Sequence, residues 1–163
     1  MKEDEKYIVL DIETTGLNPL DNKITCICLE TDAGFQHKGY TTPEFSESML
    51  IENMVDFIRD YKPGFLVTKN GKQFDIPFMI TRCPAIGRYL RDLPHKDMQE
   101  ITQGRVKLVD MAYLMGLPIN KSGEALQAIE LFKNKEYDKL VQYCSVDVSV
   151  TKAVYLKYME LKK

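Results

Sequence analysis

The sequence predicts an α/β fold of three layers built around one mixed sheet. Three observations carry this. Short apolar, β-branched runs bounded by turn residues recur along the chain; segments with helical spacing separate the later runs; and the order reads strand, strand, strand, helix, strand, helix, strand, helices. A doubly wound nucleotide fold does not fit, since no G-x-G-x-x-G follows a strand and no Walker A lysine motif is present.

Taken in order, Tyr7-Ile8-Val9-Leu10 is an apolar run ending in Asp11-Ile12-Glu13, then Thr14-Thr15-Gly16, and reads as a buried central strand with acids at its C-terminal end. Asn18 to Asn22 is a turn. Ile24 to Thr31 and Gly34 to Thr41 are the second and third strands, joined at Asp32-Ala33-Gly34. Pro43 to Tyr61 spaces Phe45, Met49/Leu50, Met54 and Phe57/Ile58 as a helix does, and Pro63-Gly64 stops it. Phe65 to Thr68 is a fourth strand, broken by Asn70-Gly71. The helix that follows runs to about Arg82 and tolerates Pro77 only in its first turn, which puts Asp75 at or just before its start, where its plain role is an N-cap. Residues 84–105 read as a short helix and a loop. Val106 to Val109 is expected to be the fifth strand, with Asp110 capping a short helix through Leu114; Gly116 to Gly123 is a loop, Gly123 to Leu131 a helix, and Glu136 to Leu161 a long one.

At 163 residues, with 44% hydrophobic and 28% charged residues, the chain is expected to form a single domain over 1–163. No apolar run approaches the ~18–20 residues of a membrane span. The first six residues, Met1 to Lys6, are too charged for a signal peptide. The expectation is a soluble, cytoplasmic protein with no membrane partner. A net charge of −2 excludes a strongly basic nucleic-acid coat, but not a nuclease: two divalent cations among four carboxylates would reverse the sign. Cys26 and Cys28 are two apart, which is not the C-x-x-C spacing of a zinc knuckle or redox motif, so they are read, with Cys83 and Cys144, as reduced thiols mostly in the core.

Three acidic sites stand where burial is expected. Asp11 and Glu13, at i and i+2 of a strand, share a face, and a cation would relieve their repulsion; taken alone, the pair reads equally as solvated turn acids at the strand end. Asp75 opens a helix. Asp147 lies four residues after Tyr143, so both stack on one face of the last helix, beside a stripe of Tyr137, Leu140, Cys144, Val148, Thr151, Val154/Tyr155 and Tyr158. An aspartate beside an inward face needs a partner, and a lysine or a metal could supply it.

Jointly, D-x-E after the first strand, N-G-x-x-F-D opening a helix and Y-x-x-x-D on the last helix, in that order, resemble the three motifs of the DEDDy 3′–5′ exonucleases. Tyr7 to Leu17 is similar to the first motif. Asn70 to Phe78 is similar to the second, most like the proofreading domains of family B DNA polymerases, and Tyr143 to Asp147 is similar to the third. Two departures stand out. Gln142 occupies the place of the histidine of the sister subclass, which leaves the tyrosine version. Lys69 stands where those polymerases more often carry an aromatic residue.

The resemblance implies a ribonuclease H-like fold with a mixed five-stranded sheet and helices on both faces. It implies two divalent cations, Mg²⁺ or Mn²⁺, held by Asp11, Glu13, Asp75 and Asp147, with Tyr143 orienting the attacking water. The activity implied is stepwise hydrolysis of single-stranded nucleic acid, DNA favoured, from its 3′ end to nucleoside 5′-monophosphates. Thr14, Thr15, Leu17 and Asn70 would contact the terminal nucleotides, the plain alternatives being turn residues for Thr14, Thr15 and Asn70 and a core contact for Leu17; a polymerase or repair complex is a fitting partner. The rival readings are an RNA-trimming exonuclease of the ribonuclease D type, a catalytically inactive nucleic-acid-binding module on the same fold, and an endonuclease of the ribonuclease H or transposase type. Arg82, Arg88, Arg91, Lys96, Arg105 and Lys107 could steer phosphates, and Tyr89 could stack on a base, with a solvated charged surface as the plain alternative. Phe74 reads as core packing, and Asp110 as a helix cap or an accessory acid.

Overall fold

In the computed structural model, which describes residues 6–118 and 125–163, the five strands are β1 (Tyr7–Thr14), β2 (Ile24–Thr31), β3 (Gln36–Tyr40), β4 (Phe65–Thr68) and β5 (His95–Asp97). They form one sheet in the order β3-β2-β1-β4-β5. The β1–β2 and β2–β3 pairs are antiparallel, whereas β1–β4 and β4–β5 are parallel. The sheet is therefore mixed, with β1 at its centre.

The helices are α1 (Glu47–Tyr61), α2 (Asp75–Arg82), α3 (Pro84–Asp92), α4 (Leu108–Leu114), α5 (Ala125–Lys133) and α6 (Tyr137–Leu161). Alternation along β1 divides the core in two. Tyr7 and Val9, with Cys26 and Cys28 of β2, pack against α4, α5 and α6 through Met111, Leu131, Leu140, Cys144 and Val148. Ile8, Leu10 and Ile12 pack against α1, α2 and α3 through Leu50, Met54, Ile58, Phe78, Met79 and Leu90. Sheet and two helical layers give the predicted three-layer α/β architecture.

Local chemistry explains the helix limits. The Ser46 hydroxyl accepts from Met49 N, and Lys62 closes α1 in the left-handed conformation before Pro63. Asp75, Ile76 and Pro77 form the first turn of α2, where proline is tolerated. Along α6 the predicted stripe is buried at Leu140, Cys144, Val148, Thr151, Val154 and Tyr155.

Two expectations are corrected. The fifth strand is His95–Asp97, not Val106 to Val109. Leu108, Met111 and Ala112 are buried at i, i+3 and i+4, and this helical burial overrides the β-propensity of the two valines. His95–Asp97 is polar, but as an edge strand it has only to pair along β4. Second, Asp110 is no cap: Lys107 holds that position, and Asp110 is an exposed residue of the first turn of α4. The end of the Gly116–Gly123 loop and the predicted start of the next helix lie outside the described residues. Among the described residues, no helix is long and apolar enough to cross a membrane.

Candidate active site

β1 outruns its parallel neighbour. Its pairing with β4 covers only Tyr7, Ile8 and Val9, while its pairing with β2 continues to Thr14, with an irregularity between Glu13 and Thr14. The overhanging end carries the D-x-E pair. The carboxylate oxygens of Asp11 and Glu13, and Cys144 Sγ from α6, all lie within 4.8 Å of one another. Glu13 is buried and Asp11 half-buried. The Cys144 thiol points at Asp11, 3.5 Å from its carbonyl oxygen and 3.7 Å from Oδ2, and so fixes α6 against this strand end.

That contact brings the rest of the third motif with it. Tyr143 and Asp147 flank Cys144 on α6, and Asp147 Oδ1 is shut off from solvent. The Tyr143 hydroxyl is pushed above its ordinary value, first by burial, then by the negative charges of Asp147, Glu13 and Asp11 and by Cys144. One phenol thus feels all three acids of this face.

Asp75 reaches the same strand end by another route. It is 3% exposed, and its Oδ1 accepts from Ile12 N at 3.1 Å, on the residue between the two acids and past the last residue paired with β4. The N-cap expected of Asp75 is not made: Phe74 occupies the cap position without a side-chain bond, and Asp75 caps the open edge of β1 instead. Burial raises the Asp75 carboxyl to about 7, with Asp97 adding to the rise and the Ile12 bond opposing it.

Asp97 is a residue that the sequence alone does not single out. It is 3% exposed; Oδ1 accepts from Asn70 N at 2.6 Å and Gln99 N at 2.9 Å, and Oδ2 accepts from Lys72 N at 3.0 Å. It thereby holds the turn that leads into Asp75. Within that turn Asn70 adopts a left-handed backbone, φ 65°. Gly71 is required by crowding: a Cβ there would sit 2.4 Å from Thr68 Oγ1. The signal available in the sequence was the Asn-Gly turn itself, whose donors need an acceptor.

The expected substrate contacts divide. Leu17 is 79% exposed on the loop that follows β1 and so is no core residue, and Leu20 on the same loop is 77% exposed. The Thr14 hydroxyl donates to Gly16 O at 2.8 Å; that of Thr15 donates to Asn22 Oδ1 and accepts from Lys23 N, both at 3.1 Å, so both threonines shape the loop. Asn70 is half-buried next to the Asp75 turn. Arg82 is committed to Glu47 and Pro19 O, and Lys96 lies over the Phe65 ring, 3.9 Å from its centroid. Arg59 covers Tyr89 at 5.0 Å, and Phe74 packs on the core as expected. Lys69 donates to Gln99 Oε1 at 2.5 Å.

A model described as the RNase_H superfamily matches residues 8–159. The chain belongs to the RNase_H superfamily. Its fold is similar to part of the structure of a family B DNA polymerase from the hyperthermophilic archaeon Pyrobaculum calidifontis, with a TM-score of 0.80 at 19% identity, over 94% of this chain. The chain spans only 24% of that polymerase. No curated protein matches. An RNase_H superfamily sheet that gathers carboxylates at the end of its central strand has the hard oxygen donors that divalent cations prefer, and Asp11 and Glu13 are close enough to share one. The fold and this acidic pair support a nuclease.

Proposed function

We propose that the chain is a metal-dependent 3′–5′ exonuclease of the DEDDy kind that shortens single-stranded nucleic acid, DNA in preference to RNA, releasing nucleoside 5′-monophosphates. The observation that carries this reading is the convergence on one strand end of Asp11 and Glu13 from β1, Tyr143 and Asp147 from α6, and Asp75 from α2. Asp11, Glu13 and Asp147 would hold one divalent cation, and Asp11 with Asp75 a second. Bound there, the cations supply Lewis-acid stabilisation of the phosphoryl charge and of the departing 3′ oxygen.

The chain's own groups do the rest. Tyr143, kept protonated, offers an O–H to the attacking water and orients it. Leu17, exposed on the loop after β1, would wedge against the terminal base, and Thr14, Thr15 and Asn70 would line the path of the strand. The favoured substrate is DNA because the second motif and the matched polymerase both belong with DNA enzymes. A polymerase or repair complex fits as the partner.

The test uses 5′-labelled single-stranded DNA and RNA of matched sequence with Mg²⁺, Mn²⁺ or EDTA. A ladder shortening from the 3′ end, absent in EDTA and in Asp11→Ala, is expected, with faster loss of DNA. Cleavage of a closed circle, or near wild-type activity in Asp11→Ala, overturns the reading. A faster RNA ladder transfers the substrate to RNA.

A further inference from the structure

Behind the carboxylates lies a second set of ligating atoms. Cys26 and Cys28 alternate with core residues on β2 and so face α6, and Cys144 meets them from that helix. Their three sulfurs lie within 4.8 Å of one another, with Cys26 and Cys28 Sγ 3.9 Å apart, and none of the three residues is more than 1% exposed. No disulfide joins them. Cys144 belongs to both clusters, since its sulfur also stands 3.7 Å from Asp11 Oδ2.

We propose that Cys26, Cys28 and Cys144 form a site for a thiophilic d¹⁰ cation of the zinc class, with Asp11 as its oxygen ligand. Three sulfurs on a common ion at about 2.3 Å define a polyhedron edge of about 3.8 Å. The 3.9 Å between Cys26 and Cys28 already meets it. Thiol sulfur selects zinc, cadmium or cuprous ions over magnesium, so this site and the carboxylates sort cations by softness. Coordination replaces up to three S–H bonds with metal–sulfur bonds and gives the protons to water. Half-buried Asp11 provides the way in. Drawing Asp11 toward sulfur takes it from the Mg²⁺ site, so an occupied thiol site shuts the nuclease down. That last consequence rests on the proposed function, whereas the site itself does not.

The experiment titrates reduced protein with CdCl₂ in excess Mg²⁺. A thiolate-to-metal charge-transfer band saturating at one ion per chain, with proton release, is expected. Cys83→Ser should leave band and nuclease activity unchanged. Cys28→Ser should weaken binding by roughly tenfold or more. Because a buried Cys→Ser change can unfold the core, X-ray absorption of the wild-type Zn²⁺ complex gives a second measurement, with a sulfur shell near about 2.3 Å expected. Asp147→Asn, expected to lose cleavage, should keep the band, so failure of the nuclease reading and failure of the thiol site are told apart. No band at stoichiometric metal, an oxygen-only shell, or loss of the band in Cys83→Ser overturns the proposal.

Discussion

Tyr143 and Asp75 are opposite cases of what burial does to an ionisable group. Tyr143 is kept as a neutral phenol by burial and by three neighbouring acids, which suits the proposed role of a hydrogen-bond donor through the neutral range rather than a base. Removing one such donor in Tyr143→Phe should lower kcat by roughly 100-fold with KM for the strand unchanged, as steady-state kinetics would show. Asp75 is a carboxyl whose proton is held to about 7, above its ordinary 3.8. The folded chain therefore binds this proton more tightly than the unfolded one, and the contribution to stability, complete below pH 4, falls as pH rises through about 7. Asp75→Asn keeps an acceptor for Ile12 N and removes the ionisation. In EDTA it should be more stable than wild type by roughly 2–4 kcal/mol at pH 8, a gain that vanishes near pH 4 in denaturant titrations.

At the scale of elements, the site depends on a short strand and the turn behind it. β5 has three residues, yet its last, Asp97, anchors the backbone of residues 70 and 72, and thus the start of α2. Thr68 Oγ1 accepts from Gly71 N at 3.1 Å and lies 2.7 Å from His95 Nε2. Burial lowers the His95 pKa, which favours a neutral ring in hydrogen bond with the Thr68 hydroxyl. β4, β5 and the turn thus form one hydrogen-bonded unit. Asp97→Ala leaves the N–H groups of Asn70, Lys72 and Gln99 without their acceptor and should cost about 3 kcal/mol in chemical denaturation. Under the proposed function it should also slow cleavage, since the turn that leads into Asp75 loses its anchor. Asp97→Asn retains acceptor capacity and should recover part of both.

At the scale of the molecule, the acids gather where the central strand overhangs its parallel neighbour, at the C-terminal ends of β1 and β4, the edge where open α/β sheets expose ligand sites. Under the proposed function, a chain of net charge −2 that focuses acid at this end would repel phosphates until cations arrive. Single-stranded DNA should therefore bind at least roughly tenfold more tightly in Ca²⁺ than in EDTA at low salt, by fluorescence anisotropy. Little cleavage is expected with Ca²⁺, whose looser coordination positions the water poorly.

The sequence by itself determined whatever is periodic or adjacent. The alternation of β1 put Asp11 and Glu13 on one face, the α6 stripe put Tyr143 and Asp147 beside the core, and Pro77 fixed the start of α2; each needs only the repeat of a strand or helix. It misplaced the fifth strand, because pairing along β4 gives a polar triplet an edge role that composition does not announce, and helical burial overrides two valines. Only the tertiary structure turned Asp75 from a cap into the partner of Ile12, made Asp97 the anchor of the Asn70 turn, and set Cys144 against both Asp11 and the two β2 thiols. These contacts join residues far apart in the chain, and their strength comes from exclusion of water, which exists only once the layers have closed.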